Sequence, residues 1–309
     1  MRVIHSSDIA SNYEACIATV GIFDGIHAGH RYLIDELKQL AQERNLLSTV
    51  ITFSRQPRRV LNPNAKVDLI TTLDEKLDLL RETGVDVCLV LDFTREIATL
   101  SAQEFITEIL YKQFNVRGLL VGHDHRFGHK RTDGFAEYQQ YGEATGMEVF
   151  QAVRYRTESD PEISSTEIRS ALLEGDITRT NRMLARPYAI RGKVVEGFRV
   201  GRTIGFPTAN IQPDHPDKLI PRNGVYHVNV LLDNETLEGM MNIGNRPTLD
   251  NGSNISIEVN IFDFDKDIYG ENVEIQFLNR IRDEKKFSGI DELTSQLKAD
   301  KALILKLNK

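Results

Sequence analysis

The 309-residue chain contains no tryptophan and only two cysteines, and aromatic residues make up 7% of it. Cys16 and Cys88 lie inside apolar, strand-like runs, so they read as small buried hydrophobes and not as a disulfide or a metal pair. No stretch approaches the roughly 18 apolar residues of a membrane span. The segment Met1 to Asp8 lacks the apolar core of a signal peptide, so a cytoplasmic protein without a membrane partner is expected. A basic surplus is also missing. The net charge of −7 argues against a nucleic-acid partner, although a local basic pocket for a nucleoside triphosphate is compatible with it. Two common phosphate-binding strings are absent as well: there is no Gly-x-Gly-x-x-Gly after a strand and no Gly-x4-Gly-Lys-Ser/Thr. The nearest approach, Gly122 to Lys130, has the wrong spacing and no hydroxyl. Dinucleotide-dependent hydride transfer and P-loop chemistry are therefore disfavoured, and phosphates must be held in another way.

What is present fits two domains with cores of their own, at 40% hydrophobic and 27% charged residues. The first part alternates apolar strands with helices. Strands are predicted at Cys16 to Val20, Ser48 to Phe53, Val85 to Leu91, Gly118 to Val121 and Met147 to Val153. Helices are predicted around Leu33 to Ala41, Asp74 to Thr83, Ser101 to Lys112 with a Ser101/Glu104 capping box, and Gly134 to Thr145. That alternation implies a doubly wound parallel sheet of the α/β class, with ligands beyond the carboxyl ends of the strands. After Arg182 to Tyr188 the pattern changes to half-polar strands: Tyr188 to Val195, Gly224 to Leu232, Leu237 to Ile243, Ile255 to Ile261 and Val273 to Phe277. Asp233-Asn234 and Asn251-Gly252 read as turn tips. A small closed β-barrel is expected, with a terminal helix carrying Ile290, Leu293, Leu297 and Ile304 over one end. The two domains are expected at 1–183 and 184–309.

Three stretches carry chemistry. Gly21-Ile22-Phe23-Asp24-Gly25-Ile26-His27-Ala28-Gly29-His30 joins a strand to a helix start, where free N–H groups and the positive dipole end favour a phosphate. Gly21 and Gly25 would supply backbone angles closed to other residues, and Gly29 would keep bulk away from the imidazoles. His27 and His30 could stabilise charge building on an α-phosphate, or simply cap neighbouring segments. Ser164, Ser165 and Thr166, with Arg169 one turn further, open a second helix. They could hold a leaving pyrophosphate, or form an ordinary Ser164/Glu167 capping box. In Gly197 to Asn210, glycines could wrap a phosphate, and Thr208 with Asn210 offers hard oxygens for Mg²⁺; a long hairpin loop is the alternative. His123, His125 and His129 fit no standard zinc spacing. Asp263 to Gly270 fails as an EF-hand loop because Ile268 stands where glycine is needed, and it reads as a turn between strands.

The first string resembles the HxGH nucleotidyltransferase signature in the form found in bacterial bifunctional riboflavin kinase/FAD synthetases. Ile163 to Arg169 resembles that family's second motif, and Val121 to Arg131 is similar to its Gly-x-Asp-Phe-x-Phe-Gly segment. In the second half, Gly201-Arg202-Thr203-Ile204-Gly205-Phe206-Pro207-Thr208-Ala209-Asn210 resembles the riboflavin kinase ATP and magnesium motif. Asn242 to Thr248 and Asp263 to Gly270 match further segments. The resemblance implies MgATP-dependent phosphorylation of riboflavin to FMN by the second domain and adenylyl transfer from ATP to FMN, giving FAD, by the first. It implies catalytic His27, His30 and a base, Glu258. It implies ATP contacts at Gly21, Phe23, Asp24, Gly29, Ser164, Ser165, Thr166, Arg169, Gly201, Arg202, Gly205 and Pro207. Flavin contacts are implied at Phe53, Asp124, Phe127, Arg131 and Asn242, and Mg²⁺ at Thr208 and Asn210. Arg55-Gln56-Pro57 stands where the family usually ends in Pro-His-Pro, His125 replaces a phenylalanine, and Asn260 stands where histidine is more frequent. The first two departures define an alternative: a monofunctional riboflavin kinase whose first domain only binds nucleotide.

Overall fold

Strand β2 (Cys16–Val20) is buried along its whole length, as its unbroken apolar run requires of a strand covered on both faces. Its side chains alternate between two cores. Cys16, Ala18 and Val20 join one cluster with Phe105, Leu110 and Val121, while Ile17 joins the other with Phe23, Ile34, Leu37 and Val90. The computed structural model describes residues 1–8, 13–123, 126–129, 132–157, 162–197, 201, 204–245 and 255–307. It divides into two units, Met1–Ser165 and Thr166–Lys309.

In the first unit β1 (Arg2–His5), β2, β3 (Leu47–Phe53), β4 (Val87–Leu91), β5 (Val116–Val121) and β6 (Glu148–Gln151) form one parallel sheet in the order β1-β4-β3-β2-β5-β6. The chain first steps outward from β2 through β3 to β4, then returns to the other side of β2 as β5. The loops after β2 and β5 therefore flank the point where the winding reverses, the usual seat of ligands in such sheets. The helices are α1 (Ala28–Glu43), α2 (Pro57–Leu61), α3 (Leu73–Glu82), α4 (Arg95–Thr99), α5 (Ala102–Glu104) and α6 (Phe135–Glu143). The edge strand β1 and the short α2 and α4 escape sequence reading; α2 and α4 bury no residue, so no apolar face marks them. The Ser101/Glu104 capping box forms as expected, but the helix continues over Phe105–Gln113 as a π-helix. Hydrogen-bond register within a helix leaves no mark on apolar spacing this short.

In the second unit α7 (Ser165–Glu174), whose first residue closes the first unit, and α8 (Ile177–Leu184) precede a closed antiparallel barrel. Its strands are β7 (Tyr188–Val195), β8 (Ala209–Pro213), β9 (Gly224–Leu232), β10 (Glu235–Asn245), β11 (Ile255–Ile261) and β12 (Asn272–Arg282), in the order β10-β11-β8-β7-β12-β9. Asp233 and Asn234 both adopt positive φ (50° and 67°) between β9 and β10, the geometry of a two-residue hairpin turn. The Asn251-Gly252 turn lies outside the described residues.

The terminal helix α9 (Ile290–Leu307) lies along the outer face of the barrel strands, where Ile304 and Leu297 pack with Val225, Met240 and Phe262. Ile290, expected on its apolar side, is 64% exposed. The helix is pinned instead by a buried ion pair: Asp300 accepts from Arg282 Nε and Nη2 (3.0 and 2.8 Å) and from Gln296 Nε2 (2.9 Å). Asp300→Ala is expected to lower the stability of this unit by about 2–3 kcal/mol, since it removes the charge partner of Arg282 and leaves that guanidinium with its bond to the Asp283 carbonyl alone. The loss falls short of a fully buried charge because Arg282 keeps 21% of its side chain exposed. A lower urea midpoint at unchanged m would register it.

Candidate active sites

The turn between β2 and α1 is built from backbone that few residues tolerate. Phe23, Gly25 and Ile26 have φ of 51°, 90° and 38°, and for a β-branched isoleucine that is a strained conformation. Gly25 thus plays its expected part. Gly21 does not have a positive φ; a Cβ there would meet the Phe23 ring at 2.8 Å, so its role is space and not backbone freedom. A Cβ at Gly29 would come within 3.3 Å of the His27 ring.

His27 is the N-cap of α1, its Nδ1 accepting from the His30 N–H at 3.3 Å. With Nδ1 as acceptor, the neutral ring carries its proton on Nε2, as a donor. The two imidazoles stack with centroids 3.6 Å apart at 17°, and the Phe23 ring supports His30 edge-on at 5.0 Å. Capping and ligand binding are therefore not rivals: the cap orients the ring. The first turn of α1 holds no acidic residue, so no carboxylate of that turn offsets the positive helix end.

Asp24 is 3% exposed, and its carboxylate accepts from the N–H groups of Ile70 and Thr71, the Thr71 hydroxyl and Gln56 Nε2. The Thr71 hydroxyl in turn accepts from Gly25 N–H at 2.9 Å, and Ser165 Oγ donates to the Asp24 carbonyl at 2.9 Å. The two signature segments thus meet through Ser165. Ser164 precedes it, half-buried, while Thr166 and Arg169 follow on α7 within the second unit. Gln56, at the departure from Pro-His-Pro, serves as a partner of Asp24. Phe53 ends β3 and Phe127 lies six residues past β5, both against the other core: Phe53 meets Phe93 edge-on, and Phe127 stacks on Tyr138 at 4.4 Å. Asp124, His125, Arg131 and Arg202 lie outside the described residues.

In the barrel, antiparallel register does what sequence spacing could not. Glu258 on β11 stands directly opposite Asn210 on β8 and Asn242 on β10, so the three share one face. Thr208 Oγ1 donates to Glu258 Oε2 across 3.4 Å, and Asn260 Nδ2 donates to the Pro207 carbonyl at 2.7 Å. A Cβ at Gly197 would run into the Asn210 amide, and one at Gly201 into the Phe206 carbonyl, so both glycines permit close approach.

Two cavities adjoin this row. One, of about 280 Å³, is lined by Thr208, Asn242, Glu258, Asn260, Gly201, Phe206 and, unforeseen from the sequence, Arg282, Glu284, Lys285, Phe287, Leu293 and Leu297. The other, of about 440 Å³, is lined by Val194, Pro207, Thr208, Val259 and the turn Phe264 to Tyr269. Thr208 lines both. The acidic turn is therefore a cavity wall as well as a connection, and its family-like string was the available signal.

Both halves of the chain resemble known proteins. The FAD synthetase family model matches residues 9–167 and the riboflavin kinase model residues 184–307. The bifunctional riboflavin kinase/FMN adenylyltransferase of Escherichia coli K12 is 38% identical, covering 97% of this chain and 95% of its own length. That of Bacillus subtilis is 36% identical, covering 97% and 96%. A solved structure described as a macrolide-efflux protein from Streptococcus pneumoniae matches with a TM-score of 0.89 at 35% identity, covering 98% of this chain and 99% of that one. With both family models matched, the alternative of a monofunctional kinase gives way. The chain belongs to the bifunctional riboflavin kinase/FMN adenylyltransferase family.

Proposed function

We propose that the two activities of this chain are housed separately: phosphorylation of riboflavin by MgATP in residues 184–309, and adenylyl transfer from ATP to FMN in residues 1–183. The observation that carries the kinase assignment is the meeting of two cavities at Thr208, with Glu258 in the smaller. We assign the smaller, with its apolar wall of Phe287, Leu293 and Leu297, to riboflavin, and the larger to ATP. Glu258 takes the proton of the riboflavin primary hydroxyl as its oxygen attacks the γ-phosphorus and ADP leaves. The oxygens of Thr208 and Asn210 suit Mg²⁺, a hard cation, and Asn210 is buried at 7% exposure beside a glycine that leaves it room. Bound there, the metal would neutralise phosphate charge.

In the first domain, an FMN phosphate oxygen attacks the α-phosphorus of ATP and pyrophosphate leaves. His27 and His30 donate to the α-phosphate as charge builds, backed by the dipole of α1. Ser164 and Ser165 hold the pyrophosphate, and Phe53, Asp124, Phe127 and Arg131 shape the FMN site. Asp24 acts through the turn it braces. Riboflavin, FMN and ATP are the partners, and the cytoplasm is the place of work. None of the described helices is long and apolar enough to cross a membrane.

Labelled ATP tests this reading. With riboflavin, label from the γ-phosphate is expected in FMN; with FMN, label from the α-phosphate is expected in FAD with stoichiometric pyrophosphate. Chelating divalent metal should stop the kinase step. γ-Label missing from FMN, or FAD formed without pyrophosphate, would overturn the assignment.

A further inference from the structure

The strained turn that carries the histidine pair needs anchors, and one of them is a lysine in the protein interior. Lys76, on α3, is 7% exposed. Its ammonium donates to the Ile22 carbonyl (3.0 Å), Thr52 Oγ1 (3.0 Å) and the Phe53 carbonyl (3.4 Å). Three N–H bonds thus meet three acceptors. Ile22 lies just past β2, at the entry to the turn, and Phe53 ends β3. Thr52 Oγ1 also donates to the Ile22 carbonyl at 3.1 Å, which closes the small network. On the other side of the turn the Asp24 carboxylate is held by Ile70 and Thr71. A turn with φ of 51° at Phe23 and 38° at Ile26 persists only where its surroundings over-determine it.

The geometry points to Lys76 as a positioning residue for adenylyl transfer: its ammonium ties the ends of β2 and β3 together and thereby sets where His27 and His30 stand. This rests on the reading of the histidine turn as the adenylyl site.

The protonation of Lys76 makes the idea testable. Burial pulls its ammonium down to about 8 from the ordinary 10.5, against the opposing pull of the Asp24 carboxylate. The other titratable group acting on it, the Cys88 thiol of β4, is pushed up to about 12 by burial and stays neutral in this range. Deprotonation removes one of three donors and the charge. Adenylyl transfer is therefore expected to fall several-fold as pH rises through about 8. Stability should move the other way. The folded state gives up the proton first, so between about pH 8 and 10.5 the unfolded chain binds more protons and stability rises with pH. Activity lost while stability is gained is not unfolding.

The experiment compares full-length wild type, Lys76→Met, Lys76→Arg and His30→Ala, with kcat and KM for FMN adenylation followed from pH 7 to 9.5 and riboflavin phosphorylation measured on the same samples. Lys76→Met should lower adenylyl kcat about 10- to 100-fold, leave KM for FMN within about twofold, and spare the kinase. Lys76→Arg, charged throughout, should recover kcat to within about fivefold and lose the fall near pH 8. If Lys76→Met keeps kcat within twofold while His30→Ala loses it, the positioning role is wrong and the site reading stands. If His30→Ala itself keeps full activity, the site reading is wrong. Should Lys76→Met fail to fold, the pH profiles decide: a flat wild-type profile, or an unchanged fall in Lys76→Arg, contradicts the role.

Discussion

Glu258→Gln is expected to lower riboflavin phosphorylation by about 10² to 10⁴ in kcat while leaving adenylyl transfer from supplied FMN within twofold. The substitution keeps the shape of the side chain and an oxygen that can accept from Thr208, 3.4 Å away. It removes the negative charge, turns one acceptor oxygen into an N–H donor, and with them takes away the capacity to accept a proton. Riboflavin's attacking group is a primary alcohol, so without a base the proton must leave to water, from a cavity that Phe287, Leu293 and Leu297 help to line. Glu258 is fixed in the middle of β11 by pairing on both sides, with Asn242 and Asn210 opposite, and little rearrangement is open to a substitute. KM for riboflavin should change little. A variant that kept kcat within threefold would remove Glu258 from the role of base.

His30→Ala has the second largest expected effect: a loss of at least about 10² in adenylyl transfer with the kinase intact, the range found when a single donor to developing charge is deleted. His30 is the better probe of the pair. Its ring lies on His27 at 3.6 Å and against Phe23 at 5.0 Å, but the N-cap bond of α1 uses its backbone N–H, which survives the substitution. His27→Ala would delete the cap acceptor as well, so about 1 kcal/mol of helix stability would be lost along with any chemistry. Binding and turnover of ATP with FMN, measured by pyrophosphate release, separate the two. A His30→Ala enzyme with normal release would leave the turn a structural cap.

The β2-turn-α1 segment was readable because each local signal agrees with the others: an apolar run with no polar break, glycine at a position of positive φ, and a polar cap ahead of a 3.6-residue period. The β9–β10 hairpin was readable for the same reason, through Asp233 and Asn234. Long-range pairing was not. The row Asn210, Glu258, Asn242 depends on the registers β8 with β11, paired residues 48 apart in the chain, and β11 with β10, 16 apart, and no spacing along the chain encodes either register. For that reason β8 read as part of a loop, and the cavity contributions of Arg282 to Leu297 were invisible. Lys76 is a different case. It occupies the apolar face of α3 with Leu73, Leu77 and Leu80, at i, i+3, i+4 and i+7, and a lone lysine on such a face is a legible signal of a buried, fully bonded ammonium. Helix α8 carried local marks at its start, Gly175 at positive φ and the Asp176 N-cap, but none at its end, where Ala185 adopts a left-handed conformation in which glycine would be expected.

On the proposed assignment, two independent constellations on one chain carry two successive transfers, and mixing the two variants tests it. With riboflavin and MgATP, His30→Ala alone should stop at FMN and Glu258→Gln alone should form neither FMN nor FAD, whereas Glu258→Gln supplied with FMN should make FAD. An equimolar mixture of the two variants should carry riboflavin through to FAD. FAD from either variant alone at the wild-type rate, or a mixture that stalls at FMN, would contradict the division of labour between His30 and Glu258.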